Sequence, residues 1–229
     1  MVPNVTDNRS LSRSEKLRLS RLRDELLIWY SDNGRHLPWR SPSANVFERV
    51  CVEVLLQRTR AETVARVYPV FFTRFTSWND IASTSIEELE EHFRPIGLWK
   101  RRARSMQALA RYAVERDGFF PTETTELAKA PGVGQYIQNA ILLFQHGEAR
   151  PLLDVNMARV IERFIRPRRL ADIRHDPWLQ AAAHWLVRGE HAIKINWAVL
   201  DFGSAVCKAS GPKCVSCSLF SRCNSKGQL

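Results

Sequence analysis

Four cysteines near the end of the sequence have the residue type and the spacing of a metal-binding group. The segment CKASGPKCVSCSLFSRC contains Cys207, Cys214, Cys217 and Cys223 in the spacing C-x6-C-x2-C-x5-C. Four thiolates this close together suit a tetrahedral metal ion or an iron-sulfur cluster. Because zinc and iron-sulfur clusters both accept four thiolates, the spacing does not separate them. The fifth cysteine, Cys51, lies in an apolar stretch and is predicted to be a buried filler.

A glycine turn precedes an apolar helical pattern in the stretch APGVGQYIQNAIL. Gly132 and Gly134 let the backbone come close to a partner, and N–H groups at the start of the following helix can bind a phosphate oxygen. The alternative is a tight turn between two helices without a ligand, which is the better interpretation of PGVG taken alone.

Two carboxylates lie in apolar surroundings. Asp154, in LLDVNMARVIERF, precedes a helical pattern and is predicted to be an N-cap, a role that does not exclude catalysis. Glu53, in VCVEVLLQRT, has valines and leucine on both sides. Burial of Glu53 without a partner would cost several kcal/mol, so it either lines a pocket or points to water.

The composition favours a polyanionic partner. The chain of 229 residues has 34 Lys and Arg against 24 Asp and Glu, a net charge of +10. Nucleic acid is the first candidate and an acidic membrane the second, with an indifferent basic surface as the alternative. No apolar run approaches the ~20 residues of a membrane helix, and the N-terminus has no apolar signal-peptide core. We therefore expect a cytoplasmic protein without a membrane partner, whose reducing surroundings disfavour disulfides.

Helical periodicity extends over most of the chain. Leu19, Leu22, Leu26 and Trp29 recur at spacings of three and four, and residues 46–75 predict two helices that meet near residues 59–62. Further helices are predicted in SIEELEEHF, RRARSMQALARYAVERDG, TTELAKA, GQYIQNAILLFQHG, VNMARVIERFI, DPWLQAAAHWLVRG and INWAVLDFGSAVC. No strand-like alternation stands out, so we predict an all-α protein of about ten short helices.

The cysteine spacing and the hairpin LAKAPGVGQYIQNAILLF together resemble the endonuclease III (HhH-GPD) superfamily of DNA glycosylases. The resemblance spans nearly all of residues 26–223. It implies a two-lobed helix-hairpin-helix glycosylase fold with a C-terminal loop that holds a four-iron, four-sulfur (4Fe-4S) cluster. It also implies a division of the chain into a flexible N-terminus (1–13), one helical lobe (14–29 and 146–205), a six-helix barrel lobe with the hairpin (30–145) and the iron-sulfur cluster loop (206–229).

The same resemblance assigns roles to individual residues. Asp154 matches the essential aspartate, which could stabilise positive charge on the deoxyribose and orient the attacking water. Glu53 matches a glutamate of the base pocket. A flipped base leaves a gap in the duplex, which Gln57, Arg58 and Leu98 would fill. The alternative for Leu98 is a leucine that packs between helices. Phosphate contacts are expected from the basic cluster Lys100, Arg101, Arg102 and Arg104, with a solvated basic helix face as the alternative, and from the hairpin residues Gly132, Val133, Gly134 and Gln135.

Tyr136 indicates which branch of the superfamily the sequence resembles most. Bifunctional members carry a lysine at this place, and a phenol cannot form the Schiff base that strand cleavage needs. Tyr136, with EVLLQRT and IGLWKRRA upstream, is most like the thymine-DNA mismatch glycosylases. A tyrosine can also stack on a flipped pyrimidine and close the pocket, so Tyr136 is counted with Asp154 and Glu53 as a catalytic-site residue.

The resemblance thus implies a monofunctional, monomeric, nucleoid-associated enzyme that removes thymine or uracil opposite guanine from mismatched double-stranded DNA. One alternative is an adenine DNA glycosylase, acting on A:G or on A opposite 8-oxoguanine. Such enzymes usually have serine in place of Tyr136 and a C-terminal recognition domain, whereas this sequence ends six residues after Cys223. An alternative of another class is a non-catalytic, DNA-binding iron-sulfur protein.

Overall fold

The computed structural model describes residues 11–227, so most of the predicted flexible N-terminus lies outside the described residues. Within the described range the chain forms eleven α-helices and three short 3-10 helices, with no β-strand. The prediction of an all-α fold is confirmed. The chain divides into two compact units: a central unit, His36–Gly147, and a terminal unit, Met1–Arg35 with Glu148–Leu229. No helix in the described part of the chain has both the length and the apolar character to cross a bilayer.

The central unit contains seven α-helices and two 3-10 helices. The α-helices are α2 (Val46–Leu55), α3 (Ala61–Arg74), α4 (Trp78–Ser83), α5 (Ile86–Phe93), α6 (Trp99–Val114), α7 (Thr124–Leu127) and α8 (Gln135–Phe144), and the 3-10 helices are Pro38–Arg40 and Arg94–Ile96. Local chemistry starts several of them. Asn45 and Glu48 form a reciprocal capping box at α2, and Ser77 and Asp80 form another at α4.

Aromatic side chains fill the core of the central unit. Phe71, Phe75 and Phe93 are almost fully buried and their rings pack on one another, with Phe71 and Phe93 stacked at 5.5 Å between ring centroids. Helices α4 and α5 pack on α6, and α2 packs on α8. The contact between α2 and α8 brings together two segments that are far apart in sequence.

The terminal unit contains α1 (Arg13–Asn33), α9 (Val155–Phe164), α10 (Pro177–Val187), α11 (Ala192–Ala205) and the 3-10 helix Phe220–Arg222. Ser12 and Glu15 form a capping box that starts α1. Of the predicted apolar stripe, Leu19, Leu22 and Leu26 are completely buried and Trp29 is partly buried against the same core. Helix α1 packs on α10 and α11. The four-cysteine segment follows α11 and packs against this core.

Candidate active site

Glu53 is buried and hydrogen-bonded to Tyr136. The side chain lies on α2 with 3% of its surface exposed, and the hydroxyl of Tyr136, in the first turn of α8, donates to Glu53 Oε2 at 2.8 Å. Of the two positions that the sequence left open for Glu53, the structure excludes the one that points to water. The partner also reduces the large free-energy cost of burying a carboxylate alone.

The predicted hairpin forms between α7 and α8. Gly132 has φ +74°, a left-handed conformation that a side chain would strain, and Gly134 is the N-cap of α8 without a capping side chain. The first N–H groups of a helix lack intrahelical partners, so this end of α8 can accept an anion. Gly132, Gly134 and Gln135 are exposed, whereas the Val133 side chain is buried, which leaves only the Val133 backbone for a contact.

Asp154 is the N-cap of α9. Its Oδ1 accepts the backbone N–H groups of Asn156 and Met157, both at 2.8 Å, and its Oδ2 accepts Nδ2 of Asn156 at 2.6 Å. Burial raises the pKa of the Asp154 carboxyl above its usual value, although these hydrogen bonds and the nearby charge of Arg159 oppose the shift. The result is a carboxylate that is held rigidly and is more basic than an ordinary aspartate.

A chain of hydrogen bonds supports the side chain that orients Asp154. Asn156 Oδ1 accepts from the guanidinium of Arg159 at 2.7 Å, and the same guanidinium donates to the carbonyl oxygens of Gly203 at 2.8 Å and Cys207 at 2.7 Å. Asn156, Arg159 and Gly203 were not predicted as site residues. Their sequence pattern is that of an ordinary helix, and only the packing of α9 on α11 reveals the connection.

At Gly203, helix α11 lies too close to α9 to leave room for a side chain. A Cβ atom at Gly203 would lie 2.9 Å from Asn156 Cβ and 3.2 Å from the Asn156 carbonyl oxygen. Only glycine therefore permits this spacing of the two helices, and the spacing in turn sets the position of Asn156.

The three residues predicted to fill the gap in the duplex are exposed on two turns of the central unit. Gln57 and Arg58 follow the end of α2, and Leu98 precedes α6 with 57% of its surface exposed. Arg58 and Leu98 have φ angles of +57° and +51°, which are uncommon for residues with side chains. Such backbone conformations persist only where the surroundings hold them, and they concentrate at functional sites.

The four basic residues after Leu98 differ in their exposure to solvent. Lys100, Arg101 and Arg104 are exposed on α6. The expectation for Arg102 needs correction, because its guanidinium turns back onto the protein. It donates to the carbonyl oxygens of Leu55 and Gln57 and to the hydroxyl of Thr59.

The four clustered cysteines form no disulfide and are half-buried. Cys207, Cys217 and Cys223 pack against the terminal core. Burial raises the pKa of the Cys217 thiol, and negative charge on the other three cysteines raises it further. Within residues 11–227, no three His, Cys, Asp or Glu side chains are arranged to hold a single metal ion. Cys51 is completely buried in α2, as its apolar surroundings predicted.

Comparison with known proteins identifies the class to which this fold and these residues belong. The sequence pattern of the HhH-GPD superfamily base excision DNA repair proteins matches residues 51–172, a range that includes Glu53, the hairpin and Asp154. The chain belongs to the HhH-GPD superfamily of base excision DNA repair proteins.

Within this superfamily, the chain is similar to several thymine-DNA glycosylases. The chain is 34% identical to the thymine-DNA glycosylase of Aeropyrum pernix, over 91% of this chain and 96% of that protein. It is 33% identical to the thymine/uracil-DNA glycosylase of Pyrobaculum aerophilum, over 87% of this chain and 89% of that protein. Among solved structures, a thermostable thymine-DNA glycosylase superposes with a TM-score of 0.86 at 26% identity, covering 94% of this chain and all of the other.

Adenine DNA glycosylases also match, over a smaller share of their own length. The human enzyme is 31% identical over 90% of this chain, which corresponds to 40% of that protein.

Proposed function

We propose that this protein is a monofunctional DNA glycosylase that hydrolyses the N-glycosidic bond of thymine or uracil opposite guanine. The observation that carries the proposal is the hydrogen-bonded pair of Tyr136 and Glu53, in a chain whose relatives include thymine-DNA and thymine/uracil-DNA glycosylases. A tyrosine at the start of the helix after the hairpin supplies no amine, so a Schiff base with the sugar cannot form at this position. The expected product is an abasic site in an intact strand.

Asp154 is the proposed catalytic carboxylate. As the base leaves, positive charge develops on the deoxyribose, and a fixed carboxylate stabilises it without reorganising. Because burial raises the pKa of Asp154, the same carboxylate is a better acceptor for the proton of the attacking water than an ordinary aspartate. Asn156 donates to Asp154 Oδ2 and thereby fixes the orientation of the carboxylate.

Tyr136 and Glu53 are the proposed base-recognition pair. The phenol ring can stack on a flipped pyrimidine, and the hydrogen bond to Glu53 fixes the orientation of the ring. Tyr136 is partly exposed whereas Glu53 is buried, so the tyrosine is the member that reaches a ligand.

Duplex DNA is the proposed partner, bound by the protein as a monomer. Gln57 and Arg58 would enter beside the orphaned guanine, and Leu98 would act as an apolar wedge. Lys100, Arg101 and the N-terminus of α8 would bind phosphates. The net charge of +10 favours a polyanion, and we place the enzyme inside the cell with the nucleoid.

A 4Fe-4S cluster held by Cys207, Cys214, Cys217 and Cys223 completes the proposal. The donor set fits, because four cysteines without disulfides lie within residues 207–223, and burial together with charge on neighbouring cysteines raises the pKa of the Cys217 and Cys223 thiols. The bound group would cross-link residues 207–223 and fix the basic side chains among them.

The test is base release from defined duplexes. The protein is incubated with duplexes that contain T:G, U:G, A:G or A opposite 8-oxoguanine, and abasic sites are then cleaved with alkali. Cleavage of the T and U strands only after alkali supports the proposal. Cleavage of the adenine strand alone would replace it with an adenine glycosylase, and mismatch binding without any abasic product would identify a non-catalytic DNA-binding protein.

Asp154→Asn is the matched variant for this assay. The amide keeps an oxygen for the two backbone N–H groups and removes a buried charge, although it loses the acceptor for Asn156 Nδ2. The fold and DNA binding should therefore persist while base release is lost. An Asp154→Asn variant that releases base at a rate near that of the parent protein would refute the catalytic role.

A further inference from the structure

Two exposed turns of the central unit carry the side chains proposed to enter DNA. The first, residues 56–60, connects α2 to α3 and carries Gln57 and Arg58. The second is the tip at Leu98, immediately before α6. Short exposed turns of this kind adopt many conformations unless other groups hold them, and both turns contain a residue with a left-handed backbone.

One arginine connects the two turns. Arg102 Nη1 donates to the Leu55 carbonyl oxygen at 3.1 Å, and Nη2 donates to the Gln57 carbonyl oxygen and, at 2.8 Å, to Thr59 Oγ1. The backbone N–H of the same residue donates to the Leu98 carbonyl oxygen at 3.0 Å, which closes the first turn of α6. Arg102 is therefore bonded to the residue that carries the wedge and to both sides of Arg58.

Packing the Arg102 guanidinium against the end of α2 and the 56–60 turn costs free energy, because it removes a charged group from water. Burial lowers the pKa of Arg102, and its Nε is buried without a hydrogen-bond partner among residues 11–227. The group remains protonated, because arginine does not lose its proton in proteins. An arginine that binds phosphate is expected to be exposed, as Lys100, Arg101 and Arg104 are. The partly buried guanidinium of Arg102 differs from them. The three acceptors, one at the end of α2 and two on the 56–60 turn, offset this cost in free energy.

The shape of the guanidinium explains why an arginine is suited to this place. Its planar fork presents several N–H donors in fixed directions, so one side chain can bind a helix-end carbonyl, a turn carbonyl and a hydroxyl together. The Leu55 carbonyl belongs to the last turn of α2, where carbonyl groups lack helical partners. A lysine ammonium is a point donor and cannot hold all three acceptors in the same geometry.

We propose that Arg102 is a positioning residue that holds the 56–60 turn and the Leu98 tip at a fixed separation, so that both insertions are preorganised before DNA binds. The inference rests on the proposed function, which assigns the insertions to Gln57, Arg58 and Leu98. Arg102 itself contacts no base in this scheme. It acts through the backbone of the residues that do.

The experiment compares Arg102→Lys and Arg102→Gln with the control Arg111→Gln, an exposed arginine further along α6. Backbone hydrogen exchange of the free protein is measured first. Both Arg102 variants should exchange faster than the parent protein in residues 56–60, with the rest of the central unit and the control unchanged. Unchanged exchange in residues 56–60 would overturn the proposal.

Single-turnover base release is measured second, on uracil opposite guanine and on uracil opposite an abasic-site analogue. The second duplex has no orphaned base and little pairing to break, so it needs the insertions less. The Arg102 variants should lose on the order of 10- to 100-fold on U:G, the penalty of an angstrom-scale misplacement, and much less on the second duplex. Equal losses on both duplexes would overturn the positioning role.

The two measurements separate failure of this inference from failure of the proposed function. If the parent protein releases uracil from neither duplex, the proposed function fails, while the exchange experiment still shows whether Arg102 holds the turn. If the parent protein is active and the Arg102 variants behave like Arg111→Gln in both measurements, only the inference about Arg102 fails.

Discussion

Substitution of Gly203 by alanine tests whether the contact between α9 and α11 positions Asp154, the proposed catalytic carboxylate. The new Cβ would lie 2.9 Å from Asn156 Cβ. Carbon atoms in contact ordinarily stay about 3.5–4.0 Å apart, so one helix must retreat by roughly 0.6–1 Å. Neither atom can rotate away, because the position of a Cβ is set by its own backbone. The shift therefore moves Asn156, and with it the hydrogen bond to Asp154 Oδ2.

The expected effects on stability and on activity differ in size. Overpacking costs about 1–3 kcal/mol, while alanine in place of glycine favours a helix by about 1 kcal/mol, so the free energy of unfolding should fall by only about 0–2 kcal/mol. That loss lowers Tm by no more than roughly 8 °C in a chain of this size. Misplacement of a catalytic group by about 1 Å costs on the order of 100-fold in rate, so base release should fall far more than the folded fraction does.

The assay is single-turnover base release from U:G duplex at a temperature where both proteins are folded, together with thermal unfolding by circular dichroism. Ser204→Ala is the control, since Ser204 is the exposed neighbour on the same helix. An active Gly203→Ala protein with an unchanged or higher Tm would show that α9 and α11 adjust without moving Asp154. The argument from close packing would then be wrong.

Three further predictions concern the hydrogen-bonded pair of Tyr136 and Glu53, the Asp154 carboxylate and the four clustered cysteines. Tyr136→Phe leaves Glu53 without one hydrogen bond and should lower the free energy of unfolding by about 1–3 kcal/mol, as measured by urea denaturation; a change near zero would contradict the importance of the 2.8 Å contact. Burial raises the pKa of Asp154, and the proposed active form is the ionised one. The rate of base release should therefore fall as the pH drops through a pKa higher than that of an ordinary aspartate. A rate that falls only at or below the pKa of an ordinary aspartate would count against this assignment. The purified protein should be brown with stoichiometric iron, and Cys217→Ser should lose iron and colour; a colourless protein that contains zinc would refute the cluster assignment and leave the glycosylase proposal intact.

Much of the fold follows from patterns within one helix. The spacing of Leu19, Leu22 and Leu26 predicts a buried stripe, and these residues are completely buried on α1. The break between the helices of residues 46–75 was also predicted, and α2 and α3 end and begin around the 56–60 turn. The helix Trp78–Ser83 is absent from the helices predicted by sequence periodicity.

The candidate site was predicted one residue at a time. The N-cap role of Asp154 is readable in sequence because a cap and its acceptors lie within three residues of one another. The position of Glu53 stayed open between a pocket and water, because its partner Tyr136 is 83 residues away and no local pattern predicts that contact.

Sequence and tertiary structure thus determined different things about this protein. Residue types at short separations determined the helices, their caps, the hairpin and the four-thiol segment, because those interactions lie within a few residues of the chain. Tertiary structure alone decided that Arg102, among four basic neighbours, turns inward, and that Gly203 must lack a side chain. The orientation of Arg102 and the need for glycine at position 203 both depend on a neighbouring segment that is distant in sequence. The packing of whole helices determines which segment lies there.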